Sequence, residues 1–525
     1  MRYFALAIIF IAFTVFATVE YRFESSYLII TGLESYDQVE LHIDGSTLNL
    51  PGNSLRIPWE KGKNAEIKLI PIRNNDKLQP IFLKINASKD NPPVFRTRIP
   101  SYLPAGKIQV EYLIYDDWDT PEKITKRAFI DGNPVDIFRE GYIELDTFFL
   151  RSGERRLRIV LKDSSGKVTD QTYRFTVVPH LPSPPLVKDG KILSSRLHRI
   201  YTIQGGEIIN KEVSGEIDLK ESICFITDVD GAGNESAPVL FYSYPNLQVL
   251  ENASLISLTS GELKDKDYTV LGRVMIANRD TVVLKSGASL RIAPGSSIIV
   301  RGSFIAEPGS RIYGQGQLII GDDAKVILNG AKVEADVLIN GSNMVWIANS
   351  KINSRISVSR SLLLAFQNVS LKELFASNVR RLWFNSVSIQ NLSLSNISYF
   401  LMVDSTISER IQIEDFSNGR IYNSKFYSND LPIFVSNFSR IEMIDCWVSA
   451  KRCVLVQDFS VFRARSTQFN GDNAIFVSGF SIFDGFAISV TSATAITLRD
   501  SRARLVQSEI NGKTVSLGRS EILKP

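Results

Sequence analysis

Between Asn349 and Ile522 the hydrophobic and polar positions follow one recurring phrase. Polar residues lead into a β-favouring apolar residue in Asn349-Ser350-Lys351-Ile352, Asn368-Val369-Ser370-Leu371, Ser386-Val387-Ser388-Ile389, Asp404-Ser405-Thr406-Ile407, Asn423-Ser424-Lys425-Phe426 and Asp445-Cys446-Trp447-Val448. The closing apolar residues lie 19, 18, 18, 19 and 22 positions apart, and the phrase then loosens in Ser466-Thr467-Gln468-Phe469, Gln507-Ser508-Glu509-Ile510 and Arg519-Ser520-Glu521-Ile522. A period near 20 predicts a repeat architecture. The fragments between phrases are short runs of Leu, Ile, Val and Phe with alternating polar residues. No apolar spacing of i, i+3, i+4, i+7 lasts a whole repeat, which excludes helical repeats. About 20 residues suffice for three short strands bent round a coil at ~3.3 Å per residue. The pattern therefore predicts a parallel β-helix of about a dozen turns, roughly 60 Å long at the strand spacing. Apolar residues would form internal ladders, and corner Asn or Ser would hydrogen-bond to their copies above and below.

Upstream, alternating strands joined by Asp/Gly/Asn turns predict three hairpins. The first runs Ile67 to Ile72, turns at Asn74-Asn75-Asp76 and returns as Ile81 to Ile85. The second runs Leu157 to Leu161, turns at Asp163-Ser164-Ser165-Gly166 and returns as Tyr173 to Val177. The third runs Ile223 to Thr227, turns between Asp230 and Ser236 and returns as Val239 to Tyr242. The strand-Asp-x-x-Gly-strand endings of the second and third, from Asp163 and Asp230, resemble the last hairpin of bacterial immunoglobulin-like and fibronectin type III-like domains, and the first matches in pattern alone. The resemblance implies β-sandwich domains over 18–90 and 91–179 and a short fibronectin type III-like domain over 180–245. Pro-rich joints at Asn91-Pro92-Pro93 and between Pro179 and Pro185 would make these semi-rigid beads ahead of the solenoid. A linker over 246–267 is expected before the solenoid at 268–525. Its opening, Leu284 to Gly295 with Ala293-Pro294-Gly295-Ser296 echoed by Glu307-Pro308-Gly309-Ser310, resembles the first coils of the pectate-lyase-like right-handed β-helix superfamily. That resemblance implies a fold and no single activity, since the superfamily includes lyases, hydrolases, adhesins and structural proteins.

Composition narrows the picture only slightly. With 60 basic against 56 acidic residues, no global field recruits nucleic acid. Residues 1–17 read as a secretory signal, with Arg2 before an apolar Ala5-to-Phe16 stretch and Val15-Phe16-Ala17 as the cleavage triplet. That stretch is short for a membrane span, so an exported protein is expected at the cell surface, outside the cell or in the periplasm. Cys224, Cys446 and Cys453 are expected to be small buried residues rather than a disulfide framework.

Candidate chemistry is sparse. His42, His180 and His198 all precede the solenoid and are expected at the surface. The polysaccharide hydrolases of the resembled superfamily cluster aspartates on neighbouring turns; Gly321-Asp322-Asp323 supplies one such element alone, and Gly-Asp-Asp between strands also reads as a turn. Its lyases use calcium-binding carboxylates with a Lys or Arg base. Here Asp404, Glu409, Glu414, Asp415 and Asp430 stand as carboxylates, and Lys372, Arg380, Arg381, Lys425, Lys451 and Arg452 as bases, none within a lyase motif. Asp404 and Lys425 are spaced as turn neighbours, a pattern equally expected of solvated ion pairs. Asp116, Asp117 and Asp119 place three carboxylates in four positions, as a calcium site or an acidic loop would. Trp346, Trp383, Phe384, Trp447, Phe459, Phe462, Phe480 and Phe483 are expected as core ladders, with exposed sugar platforms as the alternative. No cofactor is required by the pattern. The expected function is a non-catalytic structural or adhesive envelope protein that binds polysaccharide along the β-helix face. The alternatives are a polysaccharide lyase or glycoside hydrolase with an unrecognised site, and a purely architectural surface component.

Overall fold

The computed structural model describes residues 19–52, 55–219 and 222–524; the signal expected over 1–17 lies outside them. Alternation dominates the chain. Apart from a single 3-10 turn at Thr147–Phe149, the regular elements among the described residues are strands. None of their helices is long and apolar enough to cross a membrane. Two compact bodies divide near Val177.

The first body holds two sandwiches. In Ala65–Arg73 the alternate positions Ile67, Leu69 and Pro71 are buried, and the strand pairs antiparallel with Gln38–Ile43 and with Ile81–Ile85, Ile67 lying opposite Leu83. Asn74 and Asn75 make the turn with positive φ, which Asn tolerates better than most residues. Leu28, Ile30, Val39, Leu41, Ile67 and Leu69 fill the core. In the second sandwich, Gly153–Lys162 pairs with Val168–Val178, Leu157 facing Tyr173. Lys107–Tyr115 is central to the opposing sheet, between Val94–Thr97 and Tyr142–Asp146. The joint between the two is not a bare proline linker. Ser25 and Ser26 donate their backbone N–H groups to the carbonyls of Asp116 and Asp117 at 2.7 and 3.0 Å. Trp118 is 8% exposed and packs with the first sandwich's core, its ring centroid 4.6 Å from that of Phe23.

The second body is a parallel β-solenoid of about 13 turns with the third hairpin segment packed on its side. The recurring phrase sets the register: Ile352, Leu371, Ile389, Ile407, Phe426 and Val448 are successive partners in one ladder. The coil opens earlier than expected. Ser254–Leu255 already pairs with Asp267–Val270, and Gly261–Leu263 with Thr281–Leu284, inside the stretch read as a linker. These first turns lack the polar-apolar phrase, so periodicity did not reveal them. Inside the tube, Phe366 stacks on Phe384 at 5.5 Å and Phe462 on Phe483 at 5.9 Å, each pair nearly parallel. Burying each such ring contributes about 1.5–3 kcal/mol.

The third segment is not a free bead. Every position of Ile223–Val229 is buried, because Cys224 and Ile226 face its own small core while Phe225 faces the solenoid. The Phe225 ring lies 5.2 Å from that of Trp346 and 5.7 Å from that of Trp383, and Tyr201 sits 5.6 Å from Trp383. Arg381 completes this contact, pairing with Glu235 at 3.6 Å and lying over the Tyr201 ring at 4.8 Å. Trp346 and Trp383 are therefore buried outside the tube rather than within it. Each falls between two inward residues, so alternation turns it outward. His198, expected at the surface, is fully buried, its Nδ1 2.7 Å from Asp228 Oδ1. The strand pairing that places His198 opposite Asp228 decides this.

Candidate binding site on the solenoid

The corners of the coil are built from polar residues that stack. Asn349 donates to Asn329 and Asn368 donates to Asn349, at 2.9 and 3.1 Å, and Asn349 and Asn368 have left-handed φ values of 51° and 50°. Just inside, Ser405 donates to the Val403 carbonyl and accepts from the Val387 N–H, and Ser424 repeats the arrangement one turn on. Cys446 holds the equivalent place with a thiol. Burial pushes the Cys446 and Cys453 thiols up to about 12, and both are free.

At another corner the phrase is Asx or Gly, then Phe, then Ser: Asp415-Phe416-Ser417, Asn437-Phe438-Ser439, Asp458-Phe459-Ser460 and Gly479-Phe480-Ser481. Two consecutive left-handed residues throw each ring outward, with φ of 60–62° at the four phenylalanines. For L residues this backbone costs about 1 kcal/mol or more each. The rungs compensate: Phe416, Phe438, Phe459 and Phe480 donate their N–H groups to the next turn at 2.8–3.0 Å, and the rings stack at 5.2–5.6 Å. They are 68, 55, 55 and 61% exposed. Phe459 and Phe480, expected in core ladders, thus belong to an exposed ridge. Their neighbours in the ridge hide one another's faces, so what the ridge offers outward is largely ring edges.

A groove runs elsewhere on the coil, lined by Asn391, Glu409, Arg410, Tyr427, Asp430 and Arg452 among others, with a volume of about 820 Å³. It forms where the turns widen. The loop after Tyr427 and the one before Val454 interrupt strands that run unbroken in earlier turns. Arg452 holds Asp430 by a two-pronged contact of 2.8–3.0 Å, and its backbone N–H donates to the Asp430 carbonyl. Asn391 donates to Glu409 at 2.7 Å. Arg410 lies over the Phe434 ring at 5.4 Å, and Tyr427 leans on Trp447 at 4.8 Å and 54°. Hydrogen bonding to Arg452 holds the Asp430 carboxyl below the usual carboxylate range. Asp430 is thus an ionised acceptor at neutral pH, not a proton donor.

The remaining candidates are dispersed. Asp404 accepts from Asn423 and lies in a cleft lined by the Pro-rich segment around His180, while Lys425 is paired in register with Thr406. Asp415 accepts from Ser395 and Asn437 at the ridge, and these bonds hold its carboxyl low. Glu414 accepts from Ser436. Asp322 pairs with Arg360 and Asp323, at φ 64°, accepts from Asn343, both in the turn between Gln317–Ile320 and Lys325–Asn329. In the first body, Asp117 accepts from Asn91, whereas Asp116 and Asp119 are buried. Of the carboxylates weighed, only Glu409 and Asp430 share the groove. Phe416, Phe438 and Tyr427 escaped the reading of the sequence, although the Asx-Phe-Ser spacing of 22, 21 and 21 was there to find.

Sandwich domains leading into a parallel solenoid make this an all-β modular protein. No protein-family model matches the chain, and no curated protein matches it. Among solved structures, the FN1–FN3 domains of chicken CNTN1 align with 43% of this chain and 98% of their own, at 11% identity and a TM-score of 0.21. A Ca2+-stabilized, ice-binding adhesin of an Antarctic bacterium aligns over 41% of this chain and 66% of its own, at 12% identity and 0.17. The Bacteroides ovatus glucan-utilization protein SGBP-B, solved with a mixed-linkage heptasaccharide, aligns over 37% and 52%, at 15% and 0.15. Likeness at this level carries no argument about activity.

Proposed function

We propose that this is an exported, non-catalytic envelope or surface protein that holds a neutral polysaccharide in the solenoid groove. The observation that carries the reading is the groove itself, where the Tyr427 ring lies among two carboxylates and two guanidinium groups. Sugar hydroxyls take donors and acceptors together, and a tilted aromatic ring offers a face to their C–H surfaces. Among the lining side chains Glu409 and Asp430 match Arg410 and Arg452 in charge, with the Lys451 ammonium close enough to act on Asp430. Asp430, kept ionised by Arg452, suits holding rather than proton transfer. Export rests on the apolar leader over 1–17. The pectate-lyase-like opening of the coil supports a polysaccharide-facing role by resemblance only.

The test is to incubate the mature protein, with and without calcium, with neutral and uronate polysaccharides. Retention by a neutral polymer is expected, falling about tenfold in Tyr427→Ala. Release of unsaturated products or of reducing ends would overturn the non-catalytic reading. Failure to retain any polymer would overturn the binding one and leave an architectural role.

A further inference from the structure

The joint between the two N-terminal sandwiches gathers carboxylates from three separate stretches of chain: Asp90 in the connecting segment, Asp116 and Asp119 in the loop carrying Trp118, and Asp163 in the last hairpin turn. Asp116, Asp119 and Asp163 are each only 5% exposed. One oxygen of each carboxylate is tied into the fold. Asp116 Oδ1 accepts from the Trp118 and Asp119 N–H groups at 2.9 and 2.7 Å, and Asp163 Oδ1 accepts from Lys167 at 2.7 Å. Asp119 Oδ2 accepts from the Ser164 N–H at 2.7 Å, and Asp90 Oδ2 from Lys61 Nζ and Ser165 Oγ at 2.8 and 2.6 Å. The other oxygens of Asp90, Asp116 and Asp163 are buried and have no hydrogen-bond partner.

Orphaned buried carboxylate oxygens are costly, and mutual repulsion adds to the cost. Burial and the neighbouring charges of Asp119 and Asp163 push the Asp116 carboxyl up. The Lys61 ammonium hydrogen-bonds to Asp90 and feels the charges of Asp163 and Asp119, and the Lys167 ammonium acts on Asp90 as well, so four carboxylates face two positive charges. Hard anionic oxygens without donors call for a hard cation, and contributions from separate segments suit calcium, which accepts six to eight oxygens in lax geometry, better than the strictly octahedral magnesium ion.

We propose that Asp90, Asp116, Asp119 and Asp163 bind a calcium ion that locks the two sandwiches together. No three such side chains among the described residues yet stand around one point in ligand geometry. The ion draws the free oxygens in by side-chain rotation, and carbonyl groups and water complete its shell. Asp117, engaged by Asn91, stays outside it.

Terbium, a calcium mimic, is titrated into the mature full-length protein while emission sensitised through Trp118 is followed. Saturable emission, displaced by calcium, is expected, with affinity falling about tenfold or more in the isosteric pair Asp116→Asn and Asp163→Asn. Calcium at about a hundred times its Kd is expected to raise the unfolding midpoint of the sandwich pair by about 5–10 °C. Lys61→Met, which removes the ammonium hydrogen-bonded to Asp90, is expected to bind the ion more tightly. Emission equal in the wild type and the Asn pair, a midpoint indifferent to calcium and chelator, or an affinity unchanged by Lys61→Met would each overturn the assignment.

Discussion

In the solenoid, a buried serine such as Ser405 finds both of its hydrogen-bond partners in its own turn and the turn beside it. At the sandwich joint, the equally buried Asp116 is served on one oxygen only. The contrast follows from repetition. A coil brings copies of one position into register ~4.8 Å apart, so a polar group that works once is satisfied many times. A joint between two sandwiches is built once, from loops whose ends were set by other demands. What remains unsatisfied there invites a partner from outside the chain.

The comparison is sharpest between two phenylalanines three positions apart. Phe462 lies inside the tube and Phe459 on the ridge. Phe462→Ala is expected to cost about 3–5 kcal/mol in chemical denaturation. Phe459→Gly trades lost ring stacking against relief of a left-handed backbone and is expected to change stability by less than about 1 kcal/mol. Equal losses would show that the ridge is as structural as the core. Next in size, Trp383→Ala is expected to release the sheet over 197–242, read as faster hydrogen exchange in Leu197–Gln204 and Ile223–Val229 while the strands inside the tube stay protected. Exchange rising equally in both regions would mean that the third segment and the tube form one cooperative unit.

Alkali separates the regions differently. The buried thiols of Cys446 and Cys453 are raised in the fold, so the stability they support is complete below the unfolded thiol value of ~8.5 and is lost as pH climbs towards about 12. The solenoid's denaturation midpoint is expected to fall over that range, and by less in Cys446→Ser, where the solenoid's own corner residue returns. Smaller still, Asn349→Ala breaks two links of an exposed corner ladder and is expected to cost about 1 kcal/mol. Arg452→Ala should leave stability within about 0.5 kcal/mol, its pair with Asp430 being exposed, while weakening retention by polysaccharide.

Much of this architecture was legible in advance. The phrase ending in Ile352, Leu371, Ile389, Ile407, Phe426 and Val448 set the period, the inward ladder and the polar corners, because stacking in register requires like residues at like positions. The first turns from Ser254 lacked the phrase and passed as a linker. The chain also named Glu409, Asp430 and Arg452 as chemically capable, without showing that these three, and not Asp404 or Lys425, share one groove. Trp346 and Trp383 were expected in the core ladders, although each falls between two inward residues and alternation turns it out of the coil. Only the tertiary structure decides that a second sheet covers them, that His198 meets Asp228, that Phe459 stands in solvent, and that Asp163 joins Asp116. These depend on pairings between segments distant in the chain, which no local period encodes.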